Sequence, residues 1–215
     1  MDISLDELHK RTLEHYQDKF AEHGATALGV DWNGSQSQNL QFAQLLKLLP
    51  EEDEFSINDF GCGYGALVEV LQARWPDVRY NGCDLNPDMI AAALQRHAGQ
   101  ETVTFDVAER PVRPADYGVA SGVFTLRLGR SDAQCFTDMQ DSLDALHATS
   151  HHGFAFNTLT SYSDADRMRD YLYYPDPCAL FDLCKRRYAR DVALLHDYGL
   201  YACTLLVRKT KPVSS

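Results

Sequence analysis

The run Asp59-Phe60-Gly61-Cys62-Gly63-Tyr64-Gly65 sets a carboxylate two residues ahead of three alternating glycines, and further carboxylates follow at Asp84 and Asp106. Glycine lets a backbone turn sharply, in part through left-handed conformations, and its missing Cβ lets a ligand reach the main chain. Where a helix begins beyond such a loop, its free N–H groups can receive a carboxylate or phosphate. A carboxylate at the end of the following strand, here Asp84 before Leu85, can accept two hydrogen bonds from neighbouring ribose hydroxyls. The pattern predicts a cradle for a nucleoside-bearing cofactor, built on Asp59, Gly61, Cys62, Gly63, Gly65, Asp84 and Leu85.

Such a cradle needs strands that end together. Strands are predicted over residues 55–59, 78–83, 103–106, 117–121 and 153–159, alternating with helices over 64–74, 88–97, 131–146 and 177–187. That alternation is the mark of a parallel sheet covered on both faces. Pro87 falls near a first helical turn, where its missing N–H costs little, and Ser131 is placed to cap the helix that follows it. The segments 192–196 and 201–208 are separated by a turn short enough to require antiparallel pairing. The first fifty residues instead read as an amphipathic helix with Leu5, Leu8, Leu13, Tyr16 and Phe20 on one face, a break around His23 to Gly29, and a second helix over 37–49 stopped by Pro50. The expected architecture is α/β: seven strands in a mostly parallel sheet with an antiparallel C-terminal strand, helices on both faces, a helical extension over residues 1–50 on the lid and substrate side, and the main domain over 51–215.

The glycines also fit the dinucleotide fingerprint G-x-G-x-x-G/A through Gly61, Gly63 and Ala66, so they do not by themselves separate cofactors. With Asp59 ahead of them and Gly65 closely behind, the segment resembles the first motif of the class I methyltransferases, which use S-adenosylmethionine (SAM) and release S-adenosylhomocysteine (SAH). The resemblance extends over roughly residues 55–208 and implies a Rossmann-like fold ending in an antiparallel strand. It implies that Asp59 and the glycine loop hold the methionine end, Asp84 the ribose, and Asp106 with Val107 the adenine, with Ser121 beside the methyl group. The family's tetrapeptide for gripping an exocyclic base nitrogen is missing after the fourth strand, and Ser121-Gly122 stands where its metal-dependent type has an acidic ligand. No metal is expected. An NAD(P)-dependent oxidoreductase and a catalytically silent SAM-binding regulatory module remain as alternatives.

The chain has 31 acidic and 20 basic residues, a formal net charge of −11. A surface of that sign repels phosphate backbones and anionic headgroups, which argues against nucleic acid as the acceptor and leaves a small molecule or a protein or peptide side chain. The cluster Lys185-Arg186-Arg187 with Arg190 reads as a solvated helix face. No apolar leader or membrane-length stretch is present, and the six scattered cysteines lack zinc spacing, so a cytoplasmic chain with reduced thiols is expected.

Methyl transfer to a nucleophile is chiefly a matter of alignment and water exclusion, with a base required only for a protonated acceptor. Substrate-facing groups should come from the N-terminal helices and from the loops after the fourth and fifth strands. Tyr16, Trp32, Asn157, Tyr162 and Tyr174 are the candidates, the last within the aromatic run Tyr171-Leu172-Tyr173-Tyr174. Tyr162 and His196, the latter beside Asp197, are the candidate catalytic groups.

Overall fold

The computed structural model describes residues 5–51 and 54–209, with side chains from Glu7 onward. Met1 to Ser4, and the side chain of Leu5 expected on the apolar face of the first helix, lie outside the described residues. The elements in chain order are α1 (Leu5–His23), α2 (Ser35–Leu45), β1 (Ser56–Phe60), α3 (Ala66–Gln72), β2 (Arg79–Asp84), α4 (Pro87–Arg96), β3 (Val103–Val107), β4 (Ala115–Ala120), α5 (Asp132–Thr149), β5 (Ser150–Leu159), α6 (Pro177–Arg187), β6 (Asp191–Leu195) and β7 (Ala202–Arg208), with short 3-10 turns at Leu28–Val30 and Leu46–Leu48.

The seven strands form one sheet in the order β3-β2-β1-β4-β5-β7-β6. The pairs β1 with β2, β1 with β4, β2 with β3 and β4 with β5 are parallel, whereas β7 runs antiparallel to both β5 and β6. The expected α/β sheet with one reversed C-terminal strand is therefore observed. Strand order reverses between β1 and β4, and their carboxyl ends open the crevice where ligands of such sheets settle.

Alternation along the central strands divides the core. On β5, Phe154 and Phe156 face one layer and Ala155 the other; on β7, Leu205 and Val207 oppose Leu206 in the same way. Strands buried on both faces read as continuous apolar runs for this reason. One layer holds Leu67, Val68 and Leu71 of α3 with Ile90 of α4, and the opposite layer holds Leu143 and Leu146 of α5 with Leu180 of α6. Phe42 and Leu45 of α2, with Leu46, Leu48 and Leu49, also belong to the first layer. Within residues 1–50, then, α2 packs as part of the main core.

Helix starts are specified locally. At α4, the Asn86 side chain accepts from the Asp88 and Met89 N–H groups, with Pro87 in the first turn. At α5, Ser131 and Gln134 form a reciprocal capping box. At α6, the Asp176 carboxylate accepts from Cys178 N–H. The helix α5 runs three residues past the expected end and passes directly into β5, so His147 lies on the helix and His151 and His152 on the strand.

Ser131→Ala should lower stability by about 1 kcal/mol through loss of the cap. Leu143→Ala, at a fully buried position, should cost about 2–5 kcal/mol through lost contacts and a residual cavity. Urea midpoints at a common slope measure both.

Candidate cofactor and acceptor site

The loop after β1 turns through left-handed glycines, with φ of 71° at Gly61, 53° at Gly63 and 78° at Gly65. Space imposes glycine as well as angle at two of these. A Cβ on Gly61 would lie 2.5 Å from the Val123 side chain, and one on Gly65 would lie 2.9 Å from Phe105. The Gly61 and Cys62 N–H groups both donate to the Cys83 carbonyl, at 2.8 and 3.0 Å, which pins the loop to the end of β2.

Asp84 completes the clamp. Its two carboxylate oxygens accept from Gly63 N–H at 2.9 Å and Asn86 N–H at 2.8 Å. Burial pushes its pKa up, and these N–H donors act in the opposite sense. Asp59 lies deeper, 3% exposed, and accepts from the Tyr80 hydroxyl at 2.6 Å. Burial pushes the Asp59 pKa up to about 7 despite that hydrogen bond, and the neighbouring Asp84 adds to the rise.

These groups open into a cavity of about 230 Å³ that continues under α1. Asp59, Gly61, Cys62, Gly63, Asp84, Leu85, Ser121, Tyr16 and Trp32 all line it. α1 is fastened over it by Asp31, whose carboxylate meets His15 Nε2 at 2.9 Å and Lys19 Nζ at 3.0 Å. Burial alone would raise Asp31, but its hydrogen bonds to His15 and Lys19 hold it below the usual carboxylate value.

Several expected site residues are not brought to the cavity. Gly65 stands behind the wall, its carbonyl accepting from His97 Nε2 at 3.0 Å. Asp106 pairs with Arg113 at 2.9 Å outside the cavity, and Val107 is 57% exposed, because the chain reaches the cavity only farther along, at Glu109 and Arg110. Asn157 is buried one layer back: its amide oxygen accepts from Gly122 N–H at 2.9 Å and its nitrogen donates to Ser121 Oγ at 3.0 Å, so it holds the loop that lines the cavity. Tyr162 is 64% exposed and faces His196 across 5.9 Å between ring centroids, and neither lines the cavity. Tyr174 accepts from Arg169 N–H at 3.0 Å outside the cavity, while its neighbour Tyr173 lines it.

Within the run Leu172 bridges to Leu126, Tyr173 is buried and Tyr171 is 46% exposed. The aromatic run itself was a readable signal. Glu109, Arg110 and His9 gave a weaker one, as charged residues near a strand end and on a cover helix; the α5 face carrying Cys135, Asp138, Met139 and Ser142 gave none, since only the fold turns it toward the cavity.

The arrangement suits a cofactor that is cationic and carries a nucleoside. Among the described residues no cationic side chain is paired with Asp59 or Asp84, and Asn86 Nδ2, on a residue 2% exposed at the cavity wall, has no hydrogen-bond partner. No cluster of His, Cys, Asp and Glu among the described residues could hold a metal ion.

Fold and site together define an α/β enzyme with a nucleoside cofactor at the switch point of its sheet. Residues 58–153 match the model of the methyltransferase domain. The chain is 55% identical over 164 residues to the Mycobacterium tuberculosis protein Rv1506c, which carries a methyltransferase name, a match covering 76% of this chain and 99% of that one. It therefore belongs to the class I SAM-dependent methyltransferases, and SAM rather than NAD(P) is its cofactor. It is also 31% identical over 102 residues to a trans-aconitate 2-methyltransferase of Rhodopseudomonas palustris, of which it spans only 40%. In fold it is similar to the N-methyltransferase NodS from Bradyrhizobium japonicum in complex with SAH, with a TM-score of 0.67 at 16% identity over 93% of this chain and 99% of that one. Magnesium protoporphyrin IX methyltransferase from Synechocystis with bound SAM gives 0.63 at 13% identity, covering 97% and 100%.

Asp84→Ala should weaken SAH binding by about 10- to 100-fold, the loss of a charged hydrogen-bond acceptor, as read by calorimetry. For Asp59 the raised folded pKa means the native state holds a proton that the unfolded state has released. Its contribution to stability therefore falls as pH rises from about 4, near the unfolded value, to about 7, and is constant above that. Subtracting the urea unfolding free energies of Asp59→Asn from those of the parent across this range should give that falling curve; a flat difference would contradict the buried, protonated carboxyl.

Proposed function

We propose that this methyltransferase acts in the cytoplasm by direct displacement on a small-molecule acceptor, a reaction within EC 2.1.1.-. The observation carrying this reading is that the cradle at Asp84 and the chamber beneath α1 form one cavity, whose far wall includes Met139 and Tyr173, each at most 5% exposed. A chamber reaching that far into the core suits a molecule that can be enclosed rather than a side chain on a protein surface. Among the described residues no helix is long and apolar enough to cross a membrane.

When bound, SAM supplies a methyl group on a sulfonium centre, open to in-line attack. The chain's part is alignment. The glycine loop and Asp59 hold the methionine end, Asp84 and Asn86 the ribose side, and Glu109 takes the adenine-side position first assigned to Asp106. Tyr16 stays a neutral phenol, because burial and the nearby Asp31 and Asp84 push its pKa up, and it shares a hydrogen bond with Thr125. It orients rather than deprotonates. The α1 cover excludes water, which would otherwise compete as the nucleophile and screen the charges around the sulfonium.

Calorimetry with SAM, SAH and NAD tests the cofactor assignment: SAM and SAH should bind and NAD should not. Tyr16→Phe should lower kcat by several-fold with little change in the pH profile. A shift of that profile would make Tyr16 a proton carrier and contradict the orienting role.

A further inference from the structure

Where α1 and α5 line the cavity, its apolar wall includes Leu8, Leu13 and Met139, and Leu126 and Tyr173 also line it. The two arginines that line the cavity both already have acidic partners. Arg130 Nη1 meets Asp138 Oδ2 at 2.6 Å, its Nε donates to the Arg127 carbonyl at 3.0 Å, and its Nη2 donates to the Leu126 carbonyl. Its side chain, 12% exposed, is thereby turned into the loop it stabilises. Arg110 Nη2 lies 3.5 Å from Glu109 Oε1, which His9 Nε2 also approaches at 3.3 Å. With Asp59 and Asp84 added, the described cavity wall has more carboxyl groups than guanidinium groups.

From this we infer that the acceptor is a molecule with an apolar body and one nucleophilic oxygen or nitrogen that carries no negative charge, and that carboxylates are excluded from the acceptor chamber. The inference rests on the methyl-transfer reading of the cavity and specifies its acceptor class. An apolar body gains from burial against the leucines, Met139 and Tyr173. A carboxylate would give up its hydration and meet no lining arginine without an acidic partner, next to an existing excess of negative charge. Thr12 and Ser142, which line the same chamber, offer hydroxyls that can orient a single polar group.

The test compares two ligands of equal length and opposite charge state. Octan-1-ol and sodium octanoate are titrated by calorimetry, at pH 8, into protein saturated with SAH. Octan-1-ol should bind at least tenfold more tightly than octanoate. Octanoate affinity should rise as the pH is lowered toward 5 and the ligand takes up its proton. Asp138→Asn, which releases Arg130 from its partner, should strengthen octanoate binding severalfold. Octanoate binding as tight as octan-1-ol, a failure of octan-1-ol to bind the SAH complex, or octanoate affinity insensitive to pH in the parent protein would each overturn the inference. Should Asp138→Asn fail to fold, the parent's alcohol-to-acid ratio and its pH dependence decide the matter. A protein that does not bind SAH at all would instead refute the methyl-transfer reading itself.

Discussion

Asp84 joins three separate stretches of chain at one carboxylate. The N–H of Gly63 comes from the loop after β1 and that of Asn86 from the start of α4, while Asp84 itself ends β2. A buried carboxylate is costly unless its oxygens are satisfied, and these two donors satisfy one lone pair on each oxygen. Each oxygen has further acceptor capacity, so the same group that closes the loop can still receive a ligand hydroxyl. The position of the glycine loop and of the first turn of α4 both depend on this one group.

The rest of the structure keeps that clamp in place. Parallel pairing of β1 with both β2 and β4 brings three strand ends to the same edge, and the core layers on the two faces stop the sheet from shearing. Asn157 acts from a distance of one layer, fixing Ser121 and Gly122 through two hydrogen bonds and so setting the wall opposite the glycine loop. α1 stands apart in character. Much of its length is half-exposed, and it is fixed over the cavity by charged contacts to Asp31 and Glu109 rather than by a deeply buried face. Such contacts are weak and salt-sensitive, which suits a cover that must admit two ligands.

Charge distribution follows the same division. Acidic groups gather where a cationic cofactor belongs, and the cavity's arginines serve the loop and α5 as structural partners of Asp138 and Glu109. Burial raises the pKa of Asp59 to about 7 and also raises that of Asp84, whose N–H donors act in the opposite sense, and among the described residues no protein cation pairs with either. An acceptor that brings a negative charge finds no lining arginine without an acidic partner. The chamber's chemistry is thus a consequence of how the cradle is electrostatically balanced.

From the sequence alone came the order of strands and helices, the glycine loop, Asp84, the reversed final strand and the choice of SAM. Each depends on contacts between near neighbours or on backbone angles that a residue type imposes directly. Even there, Asp106 lies outside the cavity, which the chain after β3 reaches only at Glu109 and Arg110, because packing sets where it turns. Tyr162, Tyr174 and His196 lie in polar loops whose facing only the folded chain fixes, and the cavity is lined instead by Tyr173, Arg130, Asp138 and Met139. Those side chains line one cavity with Leu8 and Leu13 of α1, more than a hundred residues away in sequence, over a surface formed when α1 and α5 close on the sheet. The cofactor cradle is local and could be read; the acceptor chamber exists only once distant elements are packed together.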